Sequence, residues 1–136
     1  MIVAPTATVV VVLKAILALH RFYSRSPSSI LHMVEKIKAA LCDSDPGVMA
    51  ASLNIFYDMA RADAANYKDL VPTFVSILKQ VIERRLPKDF DYHKVPAPWM
   101  QVKLLKIMSL LGADDQSSSE SMCTDLDTLF PRNLHL

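Results

Sequence analysis

Across residues 40–122 the apolar side chains return at helical spacing, segment after segment, and one proline-rich stretch interrupts them. Residues at i, i+3, i+4 and i+7 share one face of a helix, so a chain written this way must bury stripes by packing helix on helix. Just 2 glycines stand beside 8 prolines in 136 residues. Few glycines, with abundant Ala, Leu, Lys and Met, favour helix over sheet. A composition 51% hydrophobic and 21% charged suits a packed domain rather than a disordered tail.

The spacing predicts five or six helices. The first covers about residues 8–24, with Val12, Ile16, Leu19 and Tyr23 on one stripe. Pro27 and the serines after it end that helix and start the next, whose apolar face is Ile30, Met33, Val34, Ile37 and Leu41. In the turn Asp43-Ser44-Asp45-Pro46-Gly47, Asp45 is the expected cap of a third helix and Pro46 its first residue, where a missing N–H costs nothing. That helix, to about residue 61, is apolar over most of its surface, as a buried helix is. The fourth covers about residues 67–85. Its stripe is Leu70, Phe74, Ile77, Leu78 and Val81, and Pro72 must lie in its first turn. The fifth runs from Pro98 or Trp99 to Gly112, an expected C-cap, with Met100, Leu104, Ile107 and Leu111 inward. A sixth should open at the capping-box spacing Ser117-Ser118-Ser119-Glu120 and stop at Pro131.

A helix pair about every 40 residues, once the interruption is set aside, matches HEAT or armadillo repeats. The Trp, Gly and Tyr positions of tetratricopeptide repeats are missing. In place of the Trp-x-x-x-Asn of importin-type grooves, Trp99 is followed by Lys103. The expected fold is therefore all-α: a HEAT/armadillo-like solenoid of about three helix pairs.

A formal net charge of +1 gives no electrostatic case for nucleic acid. Cys42 and Cys123 lie far apart, with no disulfide framework, which points to a reducing compartment. The segment MIVAPTATVVVVL lacks the basic residues a signal peptide places before its apolar run. Extended to Leu19 it is marginal as a membrane span, and it is read as the first helix with an irregular start.

No constellation of catalytic residues is visible. Asp43 and Asp45 near Cys42 read as an Asp-rich helix cap, because oxygen cages for cations need more ligands. His20, His32, His93 and His135 have no spacing that pairs them as ligands, and Cys123 has no neighbouring His to activate it as a nucleophile. No metal, cofactor, catalytic residue or small-molecule substrate is expected. Lys79, Arg84, Arg85 and Lys88 form a loose basic cluster. They read either as a solvated helix end or as contacts to anionic lipid head groups or a partner's acidic surface. Residues 86–98, LPKDFDYHKVPAP, cannot form a regular helix. Phe90, Tyr92, Val95 and Trp99 are too apolar for a free loop. They are expected to pack back on the helices, with the Trp99 ring substantially buried, or else to anchor a partner.

Several stretches resemble a known family. Leu41-Cys42-Asp43-Ser44-Asp45-Pro46-Gly47-Val48-Met49-Ala50-Ala51-Ser52-Leu53 opens one helix pair. Tyr67-Lys68-Asp69-Leu70-Val71-Pro72 and Phe74-Val75-Ser76-Ile77-Leu78-Lys79-Gln80-Val81 follow. The most specific wording is Arg85-Leu86-Pro87 with Tyr92-His93-Lys94-Val95-Pro96-Ala97-Pro98-Trp99, continued by Leu104-Leu105-Lys106-Ile107-Met108. These are similar to adaptins, and among them to the epsilon large subunits of the fourth heterotetrameric vesicle-adaptor complex. The likeness covers about residues 15–122 and is most specific at 40–112. Where that family carries consecutive basic residues ahead of the Lys14-Ala15 match, Val9 to Leu13 stand here.

The resemblance implies one α-solenoid fragment of an N-terminal trunk, natural or truncated, with atypical ends at residues 1–13 and 123–136. It also implies a non-enzymatic role: assembly with a beta large, a medium and a small adaptor subunit, recruitment by an Arf-type GTPase, and peripheral association with trans-Golgi network or endosomal membranes for sorting transmembrane cargo. The alternatives are a coatomer-like or importin-like scaffold, and a small enzyme, for which the sequence offers no convergent polar cluster.

Overall fold

The computed structural model describes residues 7–113 and 115–130. The expected irregular start before residue 7, the stop at Pro131 and His135 lie outside the described residues. Six α-helices carry the fold: α1 (Ala7–Arg25), α2 (Val34–Leu41), α3 (Pro46–Ala62), α4 (Val71–Ile82), α5 (Pro98–Gly112) and α6 (Gln116–Leu129). The all-α expectation holds. The excursion adds two strands of two residues each, β1 (Asp91–Tyr92) and β2 (Val95–Pro96), paired antiparallel.

Two helices begin later than their periodicity predicts. Tight 3-10 turns over Pro27–Met33 and Ala64–Leu70 precede α2 and α4. Local hydrogen bonding explains the first, because the Ser29 hydroxyl donates to the Ser26 carbonyl at 2.7 Å and competes with helical pairing. Pro72 explains the second. It has no N–H to offer the carbonyl four residues back, so the α-helix proper starts beside it, with the proline in its first two positions.

The chain divides into two compact units, Met1–Phe56 and Tyr57–Leu136. In the first, the 3-10 turn Pro27–Met33 touches both α1 and α2. Its core holds Ile16, Tyr23, Ile30, Ile37 and Leu41, then Val48, Leu53, Ile55 and Phe56 from α3. The start of α3 is as expected: the Val48 amide donates to Asp45 Oδ1 at 3.1 Å, and the Asp45 amide to Asp43 Oδ1 at 2.8 Å. Both carboxylates serve the turn. On α1, Val11, Leu17 and Phe22 are exposed, and the helix is long and apolar enough to cross a membrane by length and composition.

In the second unit α4, α5 and α6 touch one another, and the 3-10 turn Ala64–Leu70 lies against α4 and α5. Phe74, Ile77, Leu78 and Val81 meet the burial expected of α4, as Met100, Leu104, Ile107 and Leu111 do for α5. Gly112 departs from expectation. It is still helical, and among the described residues no glycine has a positive φ. A Cβ there would meet Cε of Met122 on α6, the flexible end of that side chain, which would have to move aside. The start of α6 also differs. Asp115, rather than Ser117, caps it, with Oδ1 accepting the Ser117 amide at 3.1 Å. Ser117 is already inside the helix, so the expected cap is two residues too late.

Candidate interaction surface

The segment between α4 and α5 is a closed structure built from local hydrogen bonds. The Arg84 amide donates to the Val81 carbonyl and the Arg85 amide to the Gln80 carbonyl, both at 3.1 Å. This pair of bonds ends α4 in a Schellman motif, whose turning residue needs the left-handed region. Arginine occupies that place, with φ 59°. The chain then passes through a short 3-10 turn, Lys88–Phe90, into β1. His93 and Lys94, with φ 49° and 66°, make the two-residue turn to β2, the backbone sense that a type I′ hairpin requires. The Ala97 amide donates to the Phe90 carbonyl at 2.8 Å and shuts the base.

Ala97 then starts α5. Its φ is 36°, its carbonyl accepts the amides of Met100 and Gln101 at 3.0 and 3.2 Å, and it is fully buried. The Gln101 side chain donates to the Pro96 carbonyl at 2.6 Å. Among the described residues, the non-glycine residues of positive φ are Arg84, His93, Lys94 and Ala97, all in this segment. Such strain persists where the surroundings over-determine it, and it gathers at sites that act.

Arg84 fastens the hairpin to the end of α4. Its Nη2 donates to the Lys94 carbonyl at 2.9 Å, and Nη1 lies 3.5 Å from Asp91 Oδ2. The Arg84→Gly variant separates strain from clasp. Glycine relieves about 1 kcal/mol of left-handed strain, while the lost surface contacts cost about as much. Global stability is therefore expected to stay near that of the parent. Amide hydrogen exchange at His93, Lys94 and Val95 should accelerate, and unchanged exchange there would deny the clasp.

The aromatic residues sit on this frame. Tyr92 and His93 meet edge to face with centroids 4.3 Å apart, and Phe90 and Trp99 lie tilted at 6.4 Å. Trp99 corrects the sequence expectation of burial, since it is 48% exposed. Pro98 starts α5 in a phase that turns Met100 and Leu104 inward, and Trp99, one residue earlier, stands about 100° around the helix from Met100. Ala97 takes the buried place instead. Tyr92 and Val95, opposite each other in the hairpin, are also exposed, while Phe90 is half-buried.

In the basic cluster, Lys79 Nζ and Arg85 Nη2 share Glu83, at 4.0 and 2.8 Å. Arg84 is held by the hairpin, and among the described residues Lys88 has no acidic partner. The four residues thus lie on the last turns of α4 and in the loop beyond it. Sequence reasoning missed Tyr57, whose ring lies under Arg61, Lys103 and Lys106. The available signal was i, i+4 spacing of Tyr57 and Arg61 on α3 with paired lysines on α5. A shallow cleft of ≈ 310 Å³ between α5 and α6 is lined mainly by Leu105, Met108, Met122, Cys123 and Leu126. Among the described residues no group of three or more His, Cys, Asp and Glu is placed to hold a metal ion.

The sequence matches the adaptin N terminal region family over residues 1–133. The chain belongs to the adaptin family. This adaptin is 57% identical over 117 residues to the AP-4 complex subunit epsilon of Arabidopsis thaliana, spanning 86% of the chain and 12% of that relative. It is 52% identical over 114 residues to the human AP-4 complex subunit epsilon-1, with 84% and 10% covered. Identity to the AP-2 complex subunit alpha-2 of Dictyostelium discoideum is 28% over 96 residues, 70% of the chain and 10% of the relative. The difference agrees with the epsilon resemblance carried by the Tyr92 to Trp99 wording. Adaptin membership also agrees with the helical-repeat class read from the spacing. The chain spans about a tenth of the length of these curated relatives. No solved structure matches it.

Proposed function

We propose that this adaptin chain serves as a non-enzymatic scaffold segment of an epsilon-type large subunit in a vesicle-adaptor complex. The 57% identity to an AP-4 epsilon subunit across 86% of the chain carries this reading. Its partners are then a beta large, a medium and a small adaptor subunit. An Arf-type GTPase recruits the assembly to trans-Golgi network or endosomal membranes, where the complex sorts transmembrane cargo as a peripheral coat. The hairpin supplies a contact for one of the partner subunits. Phe90, Tyr92, Val95 and Trp99 form an aromatic-rich patch with three of the four exposed, on a frame fixed by Arg84 and the buried Ala97. Rigid exposed aromatics are what interface anchors are made of. Lys79, Arg85 and Lys88, on the last turns of α4 and just beyond it, add salt-sensitive attraction to acidic groups on a partner or on lipid, while Arg84 remains committed to the hairpin.

The test is Trp99→Ala in the full-length subunit, co-expressed with the other three. Truncating a fully buried aromatic costs about 3–5 kcal/mol, so this half-exposed ring is expected to cost about 2. The variant should fold yet lose at least about tenfold in partner affinity, the effect of a central anchor. Retention of all three subunits at parental affinity, with the fold intact, would sink the proposed contact.

A further inference from the structure

Lys103 Nζ lies 4.4 Å from the centroid of the Tyr57 ring, Arg61 Cζ 5.6 Å and Lys106 Nζ 6.0 Å. Three cations therefore gather on one aromatic ring. Among the described residues none of the three has a carboxylate partner. Cations so close repel one another, and a ring face attracts each of them weakly at a solvated site. The cluster is under-neutralised, and all three charges lie within 6.0 Å of one ring centre. That arrangement fits one compact group of double negative charge.

The ring itself offers the place for such a group. Tyr57 makes no hydrogen bond among the described residues, and no buried side-chain oxygen lacks a partner. Its hydroxyl therefore keeps some contact with solvent, on a half-buried residue. We propose that Tyr57 is a phosphorylation site whose cationic receptor is already in place. The γ-phosphoryl group of a nucleoside triphosphate passes to Tyr57 Oη from a protein tyrosine kinase. The Oη–P bond forms as the bond to the β,γ-bridging oxygen breaks, the phenolic proton goes to the kinase base, and the nucleoside diphosphate leaves. The phosphate then exchanges weak ring contacts for charge-assisted hydrogen bonds from Lys103, Lys106 and Arg61.

The consequence reaches past the ring. Trp99, Lys103 and Lys106 stand at i, i+4 and i+7, on one face of α5. Modification cuts the local charge beside the exposed tryptophan from three positive to about one, which alters what can dock there. The inference does not depend on the adaptor reading.

The 136-residue chain is incubated with a purified protein tyrosine kinase and MgATP, and the product is mapped by mass spectrometry. Phosphorus NMR then follows the second ionisation of the phosphate with pH. Phosphotyrosine at Tyr57 is expected, with Tyr57→Phe unmodified there. Cations favour the dianion, so the phosphate should titrate below the value of about 6 usual for the group. The Arg61→Ala/Lys103→Ala/Lys106→Ala chain, checked by circular dichroism for folding, should return it to that value. The restored Arg61→Lys/Lys103→Arg/Lys106→Arg set should keep it low. Modification of Tyr57 only in the urea-unfolded chain overturns the proposal. So does a phosphate that titrates at its usual value in the parent, whether or not the variant folds.

Discussion

Phe74→Ala is expected to lower the unfolding free energy by about 3–5 kcal/mol, out of a total of about 5–15 for a natural domain. The ring is fully buried at the start of the α4 stripe, and α4 touches both α5 and α6. Removing it leaves a cavity that three helices cannot all close upon, so the transfer and cavity terms add. Phe74→Leu keeps most of the volume and should cost about 1.5 kcal/mol or less. Chemical denaturation followed by circular dichroism reads both, and a midpoint unmoved by Phe74→Ala would mean that this core is not what holds the unit together.

Ala97→Val should cost about 3 kcal/mol, although it adds only two methyl groups. Two penalties of similar size coincide. A β-branched residue at φ 36° suffers left-handed strain of about 1–2 kcal/mol beyond what alanine already bears. At a fully buried site the two added carbons bring about 1–3 kcal/mol of overpacking. Ala97→Gly provides the contrast. It relieves strain of about 1 kcal/mol and gives up about 0.8 for the lost carbon, so it should be near neutral. Trp99, the single tryptophan, reports the outcome by fluorescence from two residues away. Equal stabilities for the valine and glycine variants would refute the argument from backbone sign.

The helices and their inner stripes were legible because each is a local pattern. The spacing of Phe74, Ile77, Leu78 and Val81 states its own buried face, and Asp45-Pro46 states its own cap. What was not legible depends on phase or on distant partners. Periodicity does not say which of two adjacent residues, Trp99 or Met100, turns inward when both are large and apolar. The start of α5 at Pro98 decides it. Gly112 reads as a helix terminator, yet it stays helical and packs against Met122 on the next helix, ten positions along. The Tyr57 cluster takes its cations from two helices, and single-helix spacing yields only half of it. The hairpin was hidden for another reason. Its turn places His93 and Lys94 where glycine or asparagine is the usual signal.

Because the Phe90 carbonyl and the Ala97 amide bond across its base, the hairpin delivers the chain to α5 at a separation from α4 that its tip does not set. Lengthening a flexible tip is inexpensive, at about 0.6 kcal/mol for each doubling of its length. Residues 92–95 can therefore be exchanged or extended while the helices on either side keep their places. In a lineage carrying this fold, the tip is a place where sequence can be rewritten without disturbing the helices that flank it.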